Sequence, residues 1–123
     1  MARLRHLGVV ASLLSAGVLL SACGNGSAVS DARTSCHYVH KALALQAKSE
    51  ARGISSARSN ALQGQAMSEL LKGSSSAAAA TSSDGSWNPL MTTIGEAERV
   101  PLHDLVPALT RLCKVANSST PYL

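Results

Sequence analysis

The chain has 123 residues, a formal net charge of +4 and 2% aromatic residues, with no phenylalanine. That length holds one domain. Its eleven lysines and arginines are scattered and lack aromatic interleaving, which argues against the basic stripe of a nucleic-acid-binding surface. Much of the 46% hydrophobic content lies in an N-terminal run and in alanines. A core of Ala, Leu and Val buries little area per residue, so a domain this small needs further support.

Arg3 and Arg5 give the first six residues a positive charge, and Leu7 to Leu20 is apolar or small throughout. A run of about 14 residues has the length of a signal-peptide core and is shorter than the ~20 needed to span a bilayer. Leu4 separates the two arginines, so this is not a twin-arginine signal. Small residues Ser21 and Ala22 then precede Cys23. The alternatives are a permanent membrane anchor, for which the run is short, and an ordinary secretory cut, for which Leu20 is a poor match to A-x-A.

The stretch Leu20-Ser21-Ala22-Cys23 resembles the lipobox of bacterial lipoproteins. The resemblance implies that residues 1–22 are removed as a signal peptide. Cys23 then receives a diacylglyceryl group and an N-acyl chain of the palmitate type, and the protein stays at the outer face of the cell membrane. Two acyl chains, at ~0.8 kcal/mol per buried CH₂, anchor stably. The remaining chain carries nine basic and seven acidic side chains. It gives either a solvated surface or a weak attraction to anionic lipid headgroups under the anchor.

Three cysteines are present, and an odd count in an exported chain leaves one thiol over. Assigning Cys23 to lipid leaves Cys36 and Cys113, a pair expected to bond in an oxidising compartment. Closing so long a loop contributes roughly 4.5 kcal/mol in the chain-entropy model, an upper figure. The alternatives are two buried thiols or a metal site.

Residues 23–30 (Gly-Asn-Gly-Ser-Ala-Val-Ser after the cysteine) read as a flexible tether with a reach of roughly 15 Å. The domain, residues 31–123, begins with a helix expected over 31–52. Ala32, Cys36, Val39, Leu43, Ala47 and Ile54 form its apolar stripe, Ser30 or Asp31 its cap and Gly53 its stop. Ser55 and Ser56 cap a second helix carrying Ala61, Leu62, Ala66, Met67, Leu70 and Leu71, weakened at Gly64 and ending near Gly73. Residues 73–86 are Ser/Ala-rich and read as a loop, with a helical turn or two at Ala77–Ala80. Trp87, Leu90, Met91, Ile94 and Ala97 mark a short helix with Pro89 in its first turn. After Val100-Pro101, a final helix carries Leu102, Leu105, Val106, Leu109, Leu112, Cys113 and Ala116, with Asp104 as expected cap. No period-2 strand is evident. The expected fold is all-α, a small four-helix bundle with a Cys36–Cys113 bridge pinning first helix to last and Trp87 filling the core.

Reactive motifs are missing: the chain has no GxSxG, HExxH, Walker A, GxGxxG or CxxC pattern. Glu96 and Glu98, two apart, do not share a helix face. An enzyme is not expected. The cluster Cys36-His37-Tyr38-Val39-His40 is the exception worth weighing. His37 and His40 at i and i+3, joined by His103 or by an acid from the last helix, would make a metal site, and Tyr38 with a histidine would ligate haem. Against this, helical metal pairs often use i, i+4 spacing and no fourth ligand is evident, so these histidines also read as surface groups.

With the lipobox, Cys36, Asp84-Gly85-Ser86-Trp87, Leu90-Met91-Thr92-Thr93 and Leu105-Val106-Pro107-Ala108-Leu109 before Cys113, the chain resembles small helical lipoproteins of high-GC Gram-positive bacteria. That resemblance implies a membrane location and brings no activity with it. The leading expectation is a non-catalytic interaction module of the envelope, without cofactor beyond the lipid on Cys23 and with an undefined protein partner. The others are a metal- or haem-binding lipoprotein and a small-ligand or lipid groove between helices.

Overall fold

The computed structural model describes residues 25–121. The signal peptide expected at 1–22 and the lipidation expected at Cys23 lie outside the described residues. Five α-helices follow one another: α1 (Asn25–Ser49), α2 (Ser56–Lys72), α3 (Ser74–Ser83), α4 (Asn88–Glu96) and α5 (Leu102–Ala116), with a 3-10 turn at Gly85–Trp87 before α4. The fold is the expected all-α bundle. Its second arm is jointed, because α2 and α3 abut at the single residue Gly73 and both pack on α1.

Helix α1 corrects the tether reading. It starts at Asn25, and Ala28 and Val29 are buried. The polar segment before Ser30 is therefore helical because two apolar side chains on it reach the core. The buried face then runs through Ala32, Ser35, Cys36, Val39, Ala42, Gln46 and Ser49. It departs from the expected stripe at Leu43, half-buried, and Ala47, exposed. Small residues on that face, Ala32, Ser35 and Ala42 among them, let α2 and α3 come close, and the more hydrophobic Leu43 is left at the margin. Gly53, with φ +78°, sits in the turn to α2 rather than at the end of α1; the left-handed conformation there suits glycine.

Ser55 caps α2 as expected, accepting a hydrogen bond from the Arg58 backbone N–H at 3.3 Å. The core-facing residues of α2 are Leu62, Ala66 and Leu70, while Ala61 and Leu71 are exposed. The Ser/Ala-rich segment is a full helix rather than a loop. Ala77 and Ala80 on α3 are fully buried, so helix propensity and tertiary burial act together over residues that carry little hydrophobic surface. Asp84 ends it, its carboxylate accepting from the Ser86 N–H at 3.0 Å. Trp87, 1% exposed, is the largest buried side chain. In α5 the expected cap is corrected: Pro101 occupies the cap position and Asp104 falls inside the first turn. The earlier start brings Leu102 into the core and leaves Pro107 within the helix.

Two glycines in α2 and at its end predict opposite outcomes for one substitution. A Cβ on Gly64 meets nothing within 4 Å, so Gly64→Ala should add about 1 kcal/mol, raising the thermal midpoint by about 4–8 °C. A Cβ on Gly73 would lie 3.0 Å from the backbone oxygen of Ser35 and 3.1 Å from its Oγ. Gly73→Ala should lower the midpoint, with a cost of about 1–3 kcal/mol. Trp87→Ala should cost about 3–5 kcal/mol by opening the core. Thermal unfolding followed by circular dichroism checks all three.

Candidate functional site

The sulfur atoms of Cys36 and Cys113 are 2.07 Å apart, at bonding distance, with Cα atoms 5.4 Å apart. Both residues are fully buried. Each lies on the core face of its helix, as the stripe spacing requires, so the bond crosses the interior between α1 and α5. Nearby, Arg33 reaches from α1 to the end of α5. Its Nε donates to the Ala116 carbonyl at 2.8 Å and its Nη2 to the Ser118 carbonyl at 3.2 Å. A cation at a helix C-terminus satisfies carbonyls that have no partner in the helix.

The three candidate metal ligands do not converge. His37 stands edge-on to Tyr38, ring centroids 5.6 Å apart. The Asn117 side-chain amide lies 3.3 Å from His40 Nε2; an amide nitrogen has only hydrogens to offer, so the ring nitrogen accepts. His103 lies at the other end of the molecule. Its Nδ1 is 2.7 Å from Glu50 Oε1, and Glu50 is ten residues beyond His40, about 15 Å along a helix. Among the described residues, no group of three or more His, Cys, Asp or Glu side chains is arranged to hold a metal ion. The joint His37–His40–His103 site is thus corrected by the length of α1.

The contact at the lower end is a small polar cluster that sequence reasoning missed. Gln46, buried on α1, donates to Glu50 at 2.7 Å, and the same carboxylate oxygen meets His103. The Glu50 pKa is lowered from its ordinary 4.5, first by the Gln46 hydrogen bond and then by that of His103. His103 is raised from 6.5 by its hydrogen bond to Glu50. The partners are 53 residues apart, and no local pattern announces them. Beside them Gln46, Gln63, Met67, Pro101, Leu102 and His103 line a cleft of about 230 Å³.

The outer side of α1 carries a second feature. Ser30, Arg33, Thr34, His37 and Lys41 are exposed and follow helical spacing opposite the buried face. Five residues there, Ser30, Arg33, Thr34, His37 and Tyr38, line a shallow hollow of about 480 Å³. The Lys41 ammonium sits 5.7 Å from the Tyr38 ring centre, within cation–π range. Between Asp31 and Glu50, α1 contains no acidic residue. Trp87 is absorbed in the core and lines neither hollow.

Comparison with protein-family models, with curated proteins and with solved structures finds no match to this chain. Among the described residues, no helix is long and apolar enough to cross a membrane.

Two predictions follow from this geometry. Cys36→Ser and Cys113→Ser should lower stability about equally, by up to roughly 4.5 kcal/mol, and the double variant should add little more; additive losses in denaturant unfolding would mean the two do not share a bond. The His103–Glu50 pair has a definite pH window. The raised His103 contributes fully below 6.5 and loses its contribution as pH rises through its folded value. The lowered Glu50 contributes fully above 4.5 and loses it as pH falls through its folded value. The gap in thermal midpoint between wild type and His103→Gln should be widest between those limits and close on either side. Glu50→Gln should lower the His103 midpoint in an NMR titration.

Proposed function

We propose that this protein is a lipid-anchored extracytoplasmic module that acts by binding rather than by catalysis. In this reading residues 1–22 are an export leader, Cys23 carries the diacylglyceryl group, and the helical domain works at the outer face of the cell membrane. The observation that carries it is the buried Cys36–Cys113 pair at bonding distance. Such a bond belongs to an oxidising compartment. It also uses two of the three cysteines and leaves Cys23, which ends the apolar run in a lipobox-like sequence.

The polar chemistry fits a binding role. Glu50 and His103 shift in opposite directions, each toward its charged form. That is the behaviour of an ion pair, whereas a general acid or base works with a pKa moved toward the operating pH. The partner in the envelope is a protein or a lipid surface met by the exposed helix faces.

Acylation is tested on protein taken from the membranes of expressing bacteria. Growth with labelled palmitate should label the wild type, and the N-terminal peptide should begin at Cys23 with the mass of the lipid added. Cys23→Ala should abolish labelling and leave the leader uncut, while the Cys36–Cys113 bond persists. An N-terminal peptide with an unmodified Cys23 thiol overturns the anchor.

A further inference from the structure

The outer stripe of α1 is set directly against the core face. Ser30, Arg33, Thr34, His37, Lys41 and Lys48 are all exposed, and at 100° per residue they cluster on the side away from Ala32, Cys36 and Val39. Every charged side chain between residues 32 and 49 is basic. The stripe also holds Tyr38, half-buried, with an apolar ring and a polar tip, beneath Lys41 and edge-on to His37. From another helix, Glu69 of α2 feels the charges of Lys41 and His37, but its carboxylate is hydrogen-bonded to Lys72, the main cause of its lowered pKa. The stripe is therefore a face of fixed cations, hydroxyls and one amphipathic ring around the hollow at Ser30–Tyr38.

We propose that this stripe docks the domain on anionic phospholipid headgroups, whose phosphates meet Arg33, Lys41 and Lys48 and sit in the hollow lined by Ser30, Thr34 and Tyr38. The inference rests on the anchor reading for its location and deepens it. Helix α1 begins at Asn25, two residues after Cys23, and two extended residues span only about 7 Å. An acylated Cys23 thus brings the start of α1 to the bilayer surface with no slack. Cations within a Debye length of an anionic surface are attracted to it, and a tyrosine suits the headgroup layer. Arg33 keeps its guanidinium in place by bonding the end of α5, which holds one cation of the stripe ready without ordering on contact. Charge complementarity selects the lipid: a zwitterionic headgroup offers no net attraction.

The test is independent of acylation. The buried core draws on residues 28–116 among the described residues, so a chain of residues 24–123 carries the whole core without the leader or the lipid. Its partition onto phosphatidylcholine vesicles is compared with that onto vesicles of phosphatidylcholine and phosphatidylglycerol in equal parts, at low salt. Binding should need the anionic lipid and weaken as salt rises. Lys41→Gln and Lys48→Gln should each reduce it about fivefold, Lys41→Arg should retain it, and Arg99→Gln, between α4 and α5, should leave it unchanged. Unfolding midpoints equal to wild type show that these exposed substitutions act through charge. Equal binding to both vesicle types, or an equal loss from Arg99→Gln, overturns the proposal. So does competition by inorganic phosphate at constant ionic strength, which assigns the hollow to a free anion. An unmodified Cys23 in native protein would sink the anchor alone, because the vesicle result is obtained on a chain that lacks residue 23.

Discussion

The structure depends on one cross-link through a core of small side chains. The buried face of α1 presents Ala28, Ala32, Ser35, Cys36 and Ala42, and α3 adds Ala77 and Ala80. Faces of this kind approach closely, but each methyl removes little area from water. Among the described residues, Trp87 and ten Leu, Ile and Val residues bring larger surface into the interior. The Cys36–Cys113 bond compensates by restricting the unfolded chain across a separation of 77 residues. It also brings α5 to α1, and with it the two polar contacts at opposite ends, Arg33 on the α5 carbonyls and Glu50 on His103.

Those two contacts give the two ends of the bundle different surfaces. At one end Arg33 is spent partly on structure and partly on the outer hollow, so the same residue links the closing of the bundle to the character of its exposed stripe. At the other end the Gln46–Glu50–His103 cluster is arranged for charge pairing. Its groups are exposed, apart from Gln46, and contribute as surface pairs do, modestly and with salt sensitivity. The stripe on α1 has no such pairing along its own helix.

Much of the fold was legible in the sequence because the long helices carry 3.6-residue periodicity. Cys36, Val39, Leu70, Leu90, Ile94, Leu109 and Cys113 all face the core as their spacing requires. The errors fall where hydrophobicity is a poor guide to burial. Residues 25–30 and 74–83 are polar or small, yet both are helical, since Ala28, Val29, Ala77 and Ala80 meet neighbours that only the folded chain supplies. Leu43 sits at the margin of an α1 face packed with smaller residues, and Leu71 is exposed because Leu70 takes the core side of α2. The pairing of His103 with Glu50, and the distance between His103 and the other histidines, depend on how α5 lies along α1. No local pattern in either segment encodes that.

The approach of Gly73 to Ser35 has a consequence for how the helices are aligned. Surfaces paved with alanine are nearly smooth, and two of them could slide by a turn, about 5.4 Å, while burying almost the same area. Ser35 presents its backbone oxygen and hydroxyl where an added methyl group would press on both, at 3.0 and 3.1 Å. The elbow between α2 and α3 therefore notches onto α1 at a single height, like a key cut for one ward. Axial registration of this arm comes from a missing methyl group, and that of α5 from a covalent bond.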